Sequence, residues 1–208
     1  MKFIEISNFG INTLTFVFIV TILLTLFQGR ALIKQNIRIV RNESGDSVNF
    51  VFISYYTFTA LAIIAYGIEV KSLALTINGF LGFLALIIIF NLLRFKKISL
   101  REKVFGFGSA IVLPLIIFVQ VKEPLILIFG LAFGVALLFQ IIEIWQNRNS
   151  GSVDPNLIGV SLFSCFFWFV YALIMGIWPM EVINFVGLLL WLILLISYLK
   201  FKPESVVI

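Results

Sequence analysis

Long apolar runs, broken by short charged or turn-rich segments, organise the whole chain. At about 1.5 Å per residue, a helix needs about 20 apolar residues to cross a hydrocarbon core. The runs predict seven such spans at residues 9–33, 48–68, 73–95, 103–121, 124–146, 155–177 and 181–201. The breaks carry the residues that end apolar helices, such as Asn42, Glu43, Gly45 and Asp46, then Lys122, Glu123 and Pro124, then Trp178 and Pro179. The fourth span is the weakest, because it is short and Pro114 interrupts it. The first span begins like a signal peptide, with Lys2 ahead of an apolar run. No small-x-small cleavage site follows, so a permanent helix is expected.

Composition supports a membrane protein. The hydrophobic share is 62% and the charged share 12%, whereas soluble domains run at about 45–50% and about 25%. Too little polar surface remains to cover a water-soluble globule, so the expected class is all-α and integral to a lipid bilayer. The unbroken runs at 80–90 and 187–196 do not fit the alternation of a membrane β-barrel. There is no histidine, which excludes imidazole acid–base chemistry and His-ligated metals. Cys165 is the only cysteine, so neither an internal disulfide nor a thiolate metal cage can form. No phosphate-binding loop ending in Lys-Ser or Lys-Thr is present. No enzyme activity, metal or cofactor is expected.

The net charge of +5 is distributed by face. Seven spans put the termini on opposite sides of the bilayer. The face shared with the C-terminus carries Arg30, Lys34, Arg38, Arg41, Arg94, Lys96, Lys97, Arg101, Lys103, Arg148, Lys200 and Lys202. The other face carries Lys2, Lys71 and Lys122. The positive-inside rule then predicts an outside N-terminus and a cytoplasmic C-terminus, in the cell or inner membrane. Orientation accounts for the basic residues, and no nucleic-acid partner is expected. The loops at 30–41 and 94–103 could also meet anionic lipid heads.

The second half repeats features of the first at an offset of about 105 residues. Ser47-Val48-Asn49-Phe50 aligns with Ser152-Val153-Asp154-Pro155. Nineteen residues after each serine stands a tyrosine, Tyr66 and then Tyr171, followed by Asn78 and Asn184. Upstream, Leu26-Phe27-Gln28 pairs with Leu138-Phe139-Gln140, with about seven extra residues in the first repeat. Each repeat holds three helices, an odd number, so one extra span is needed to keep the two units parallel. The expected architecture is 3 + 1 + 3. Residues 1–100 form the first triple-helix bundle, 101–122 an inversion linker helix, and 123–208 the second bundle with a short tail. Parallel repeats place a solute site between the halves near mid-membrane.

These features resemble the PQ-loop superfamily, and within it the SWEET sugar transporters and their single-repeat SemiSWEET relatives. Phe167-Trp168-Phe169-Val170-Tyr171 looks like the family's Leu-Trp-x-x-Tyr segment, and Asn184 falls where the family places a substrate-contacting asparagine. In the first repeat Tyr66, Gly67 and Asn78 match, while Ile63 stands at the tryptophan position. The Pro-Gln pair that names the superfamily is Phe27-Gln28 and Phe139-Gln140 here, so both prolines are gone. Of the prolines near the starts of the second and sixth helices, only Pro155 remains. The resemblance implies alternating access and a sugar substrate, and the missing prolines bear on the hinge.

Within that frame Asn78, Asn184, Trp168 and Ile63 are the candidate substrate contacts. Each asparagine is expected about 10 Å inside its helix, where an unpaired amide is costly. A carboxamide both donates and accepts, as sugar hydroxyls do; the alternative role is interhelical bonding. An indole can lie against the apolar face of a sugar ring, and Trp168 could equally be packing. One tryptophan without a partner suggests a ligand smaller than a disaccharide or lacking its symmetry. Tyr66 and Tyr171 are candidate gates, or members of the interfacial aromatic belt. Gln28, Gln140 and Pro155 are candidate hinge residues. Asp154 reads as a helix N-cap before Pro155. Glu143, whose repeat counterpart in this alignment is Ala31, would pair with Arg148 or reach the cytoplasm. Either carboxylate could instead carry a coupling proton.

The expected function is passive, alternating-access transport of a small neutral solute, first a mono- or disaccharide. The alternatives are a proton-coupled carrier of amino acids or a vitamin precursor, and a seven-helix receptor or scaffold. A monomer would suffice for a complete pathway, and a homo-oligomer is compatible with it.

Overall fold

The computed structural model describes residues 2–46, 48–150 and 153–202. Ser47 and Ser152, two anchors of the sequence repeat, lie outside these, as does the chain beyond 202. Among the described residues all regular structure is helical. The elements are α1 (Ile4–Ser7), α2 (Thr13–Arg41), α3 (Phe50–Glu69), α4 (Leu73–Gly79), α5 (Leu81–Phe95), α6 (Leu100–Gly108), α7 (Val112–Phe118), α8 (Lys122–Asn147), α9 (Pro155–Met175) and α10 (Trp178–Lys200).

Six helical segments are long and apolar enough to cross a membrane: α2, α3, α4 with α5, α8, α9 and α10. The protein is therefore an integral membrane protein of the all-α class. The expected fourth span is not among these. That segment divides into α6, a 3-10 turn over Ser109–Ile111, and α7. Its first turns are polar: Ser99 caps α6 and Glu102 closes a reciprocal capping box. The first span also differs from expectation, starting at Thr13 under an Asn12 cap and running on to Arg41. Its last turns carry Arg38 and Arg41 at the negative end of the helix dipole, where cations extend a helix past its apolar stretch.

Local signals set the remaining ends. Asn49 caps α3 by accepting from the Phe52 amide at 2.9 Å. Asp154 caps α9 by accepting from the Asn156 amide, with Pro155 in the first turn. Gly176 ends α9 at φ 66°, a left-handed conformation that costs glycine nothing. Between α4 and α5 the chain tightens at Phe80, whose amide bonds to the Ile77 carbonyl three residues back.

The helices pack in two sets. In one, α4 and α5 hold α2 and α3 together; in the other, α10 holds α8 and α9 together. The sets meet along two seams, α2 against α9 and α3 against α8, while α6 and α7 pack against α3, with α7 also touching α8. Large apolar side chains such as Phe16, Phe27, Phe90, Phe163 and Leu199 face outward, as hydrocarbon surroundings permit.

Two buried clusters divide the interior by height. One surrounds Leu32, Phe50, Phe52, Leu137, Ile158, Trp191 and Leu194, towards the C-terminal face. The other surrounds Val17, Tyr66, Leu75, Ile126, Trp168, Tyr171 and Met180, towards the N-terminal face.

Candidate functional site

A cavity lies about half-way along the helices, between these clusters and between the two helix sets. Its volume is about 110 Å³. From α3 it is lined by Tyr56, Thr59, Ala60 and Ile63, and from α9 by Ser161, Ser164, Cys165 and Trp168. Each residue of the first group stands 105 positions before its counterpart in the second. The repeat spacing thus becomes two facing walls. α4 adds Asn78, α10 adds Ile183, Asn184 and Trp191, and α8 adds Gly130 and Phe133.

All four residues picked as substrate contacts, Asn78, Asn184, Trp168 and Ile63, line this one cavity. The asparagines sit differently. Asn184 is 8% exposed, and its Nδ2 donates to the Met180 carbonyl at 2.7 Å. That leaves its Oδ1 and one N–H for a ligand. Asn78 Oδ1 stands 3.2 Å from the Thr25 hydroxyl oxygen, whose single proton is shared with the Thr21 carbonyl, 2.9 Å from the same oxygen. The amide of Asn78 is therefore steadied from α2 while its Nδ2 has no partner among the described residues.

Three more polar atoms escaped the sequence reading. Among the described residues, Thr59 Oγ1, Ser164 Oγ and Trp168 Nε1 are buried with no hydrogen-bond partner, and all three residues line the cavity. Buried polar groups are nearly always satisfied, and an orphan costs about 1–3 kcal/mol. Thr59 and Ser164 are repeat counterparts, each one turn before Ile63 or Trp168. Hydroxyls in apolar helices are so often bonded to their own backbone that sequence alone gives no reason to single these out.

The candidate gate tyrosines lie one turn beyond the cavity, towards the N-terminal face, and both are about 1% exposed. They are not equivalent. The Tyr66 hydroxyl has no partner among the described residues. The Tyr171 hydroxyl donates to Glu5 of α1 and lies 2.7 Å from the Ser72 hydroxyl. Its ring meets that of Trp168 edge-on at 5.3 Å.

At the C-terminal face the two seams are closed by a matched exchange. Gln35 Oε1 on α2 accepts from the Asp154 amide at 2.7 Å, and Gln140 Oε1 on α8 accepts from the Asn49 amide at 2.8 Å. The Val153 carbonyl accepts from Arg38 at 3.0 Å, and the Val48 carbonyl accepts from Lys96 at 2.8 Å. Gln35 with Gln140, Arg38 with Glu143, and Asn49 with Asp154 are each 105 apart. This corrects the sequence alignment of Gln28 with Gln140. Gln28 lines the cavity, Gln140 ties α8 to the start of α3, and no seven-residue insertion is needed. The apparent tripeptide match was an accident of two common apolar residues beside a glutamine.

The carboxylates considered for proton coupling belong to this closure. Glu143 Oε2 accepts from Asn49 Nδ2 at 2.9 Å, and Oε1 pairs with Lys96 rather than with Arg148. Its repeat counterpart is Arg38, not Ala31, and Arg38 lies 3.9 Å from the Asp154 carboxylate. Neither Glu143 nor Asp154 lines the cavity. Pro155 opens α9 directly beside the exchange.

Substituting Gln35 or Gln140 by leucine leaves a helix-starting amide unpaired, at a cost of about 1–3 kcal/mol. Thermal melts in detergent should fall by similar amounts for both variants. Gln28→Leu should cause no comparable drop; equal drops for all three would dissolve the distinction between closure and cavity.

Residues 124–205 match the family described as "Sugar efflux transporter for intercellular exchange", the SWEET family. The match spans most of α8 and all of α9 and α10, the set that supplies Ser164, Trp168, Tyr171 and Asn184. No curated protein matches the chain significantly. The second half of the chain is thus SWEET-like, and sugar transport across a membrane is the activity that the family indicates.

Proposed function

We propose that this protein is a passive, alternating-access carrier of a small neutral polar solute, with a monosaccharide as the first candidate. The observation that carries the proposal is the cavity between the two helix sets. Two walls built from residues 105 apart enclose it, with polar atoms that lack protein partners. A hydroxylated solute supplies what those atoms lack. Asn184 Oδ1 would accept from one hydroxyl, Asn78 Nδ2 would donate to another, and Thr59 and Ser164 can do either. Trp168 offers a ring face for the apolar side of a pyranose and an N–H for its edge. The opposing Ile63 makes the site lopsided, which suits one sugar ring better than a symmetric pair.

In this reading the two sets are parallel triple-helix bundles and α6–α7 is the linker that restores their orientation, spanning the bilayer as a seventh, broken element. Closure at the N-terminal face would run through the α2–α9 seam and Tyr171. Closure at the C-terminal face would run through the Gln35 and Gln140 exchange. Rocking one bundle against the other would break one closure while keeping the other. Hydrogen bonds between polar side chains and backbone amides suit that task, since each contributes only about 0.5–1.5 kcal/mol net. The positive-inside rule places the N-terminal face outside. Among the described residues no carboxylate lines the cavity, which favours passive transport over proton coupling.

Counterflow of labelled glucose into liposomes holding the purified protein tests the proposal. Wild type should accumulate label against preloaded glucose. Asn184→Ala, which removes up to two bonds to the solute, should cut the rate about ten-fold. Equal rates in the two proteins would remove Asn184 from the pathway, and no flux in wild type would remove glucose as the solute.

A further inference from the structure

The short helix α1 lies at the N-terminal end of the molecule, ahead of the first long helix, and nothing in the transport reading so far requires it. Its acidic residue is its most buried. Glu5 is 1% exposed although it stands four residues from the chain start. The Ser72 hydroxyl donates to Glu5 Oε1 at 3.0 Å and the Tyr171 hydroxyl donates to the same oxygen. The Ala74 amide donates to Oε1 and the Leu73 amide to Oε2, both at 3.1 Å. The Ile4 amide donates to the Lys71 carbonyl at 2.9 Å and docks the helix in place.

These bonds join the two helix sets. Ser72, Leu73 and Ala74 start α4 in the first set, and Tyr171 belongs to α9 in the second. One carboxylate therefore bridges the seam that must widen if the cavity is to open towards this face. Tyr171 touches Trp168, a lining residue, so the bridge is one ring removed from the cavity. The bridge has no counterpart in the other half, where Tyr66 has an unpartnered hydroxyl. Burial raises the Glu5 pKa, but the bonds from Tyr171 and from the Ala74 and Leu73 amides outweigh it and hold the carboxyl below its usual value. Glu5 is thus ionised at neutral pH and accepts from all four donors, and among the described residues neutral groups rather than a cation compensate its charge.

We propose that Glu5 is the latch of the N-terminal gate: its separation from Tyr171 and Ser72 is the step that exposes the cavity to that face. The latch rests on the transport reading for its purpose, yet its test needs no solute.

Cys165 is the chain's only cysteine and lines the cavity, so its reaction with a water-soluble maleimide reports how often the cavity opens. Glu5→Gln keeps the shape but places an NH2 group where donors converge. In detergent at pH 7, it should raise the Cys165 labelling rate at least five-fold over wild type. Tyr171→Phe removes one hydroxyl, keeps the ring against Trp168, and should raise the rate in the same direction. Labelling is measured at least 15 °C below each variant's melting temperature, so that general unfolding does not contribute. Rates unchanged from wild type in both variants would overturn the latch. A glucose counterflow failure with the labelling response intact would instead remove the solute and keep the gate.

Discussion

Replacing Thr59 with valine and Ser164 with alanine in one chain is expected to lower solute flux about ten- to a hundred-fold without lowering the melting temperature. Each hydroxyl is buried at the cavity wall without a protein partner. In the empty protein such a group is a liability of about 1–3 kcal/mol, so removing it should leave the fold as stable or more so. With solute bound, each hydroxyl would contribute about 0.5–1.5 kcal/mol, and two of them together correspond to the stated loss. Valine keeps the shape of threonine, so the cavity keeps its walls on the α3 side. Counterflow and thermal melting on the same preparation decide the matter. Flux and stability falling together would make the hydroxyls packing elements, and unchanged flux would mean that no solute meets them.

Replacing Gly79 with valine should cost more than about 3 kcal/mol and leave little folded protein. A Cβ at this position would stand 2.8 Å from both the Ala60 carbonyl oxygen and the Ile64 amide nitrogen, and 2.4 Å from Ile64 Cγ1. Backbone atoms of a neighbouring helix cannot rotate away, so α3 and α4 would have to part. Overpacking alone costs about 1–3 kcal/mol for an added methylene or two, and the separation would also uncover Leu75 and Ala74, both fully buried. A Cβ added at Gly67 would likewise stand 2.6 Å from the Thr76 amide nitrogen of α4, and one added at Gly82 of α5 would stand 2.9 Å from the Thr57 carbonyl oxygen of α3. Because Gly79 follows Asn78, this contact also sets how far that amide reaches into the cavity. Gly159 in α9 is the control: nothing lies within 4 Å of its Cβ position, so Gly159→Ala should be neutral or stabilising by about 0.5–1 kcal/mol. Melting curves in detergent that fail to separate the two variants would contradict the close approach.

The membrane class and most helix positions were legible in the sequence because they follow from local quantities. An apolar run of about 20 residues has no soluble use, and a cap such as Asn49 or Asp154 acts within one turn of its own helix. The fourth span was the least legible by the same local reasoning. Residues 100–118 are helical in pieces, with α6 and α7 on either side of a 3-10 turn, so no single long helix forms there. The candidate site was legible in part. Asn78, Asn184, Trp168 and Ile63 meet at one cavity because an offset of 105 residues, or one more, relates the halves. The single extra residue falls in the second half, between Tyr171 and Asn184, where Gly176 ends α9 in a left-handed conformation.

The alignment of Gln28 with Gln140 failed because it weighed residue identity above constant spacing. In the folded chain the counterpart of Gln140 is Gln35, and the counterpart of Glu143 is a residue of opposite charge. The sequence by itself determined that this chain lives in a bilayer, that its halves are related, and which four side chains belong together. Those facts are written in hydropathy and spacing, which each segment carries alone. Only the tertiary structure decided that Thr59, Ser164 and the Trp168 indole are left without partners, that Gln35 and Gln140 close one face, and that Glu5 joins α4 to Tyr171. Each is a statement about which atoms meet across helix seams. A hydrogen bond between residues 5 and 171 leaves no trace in either neighbourhood of the chain until packing brings them together.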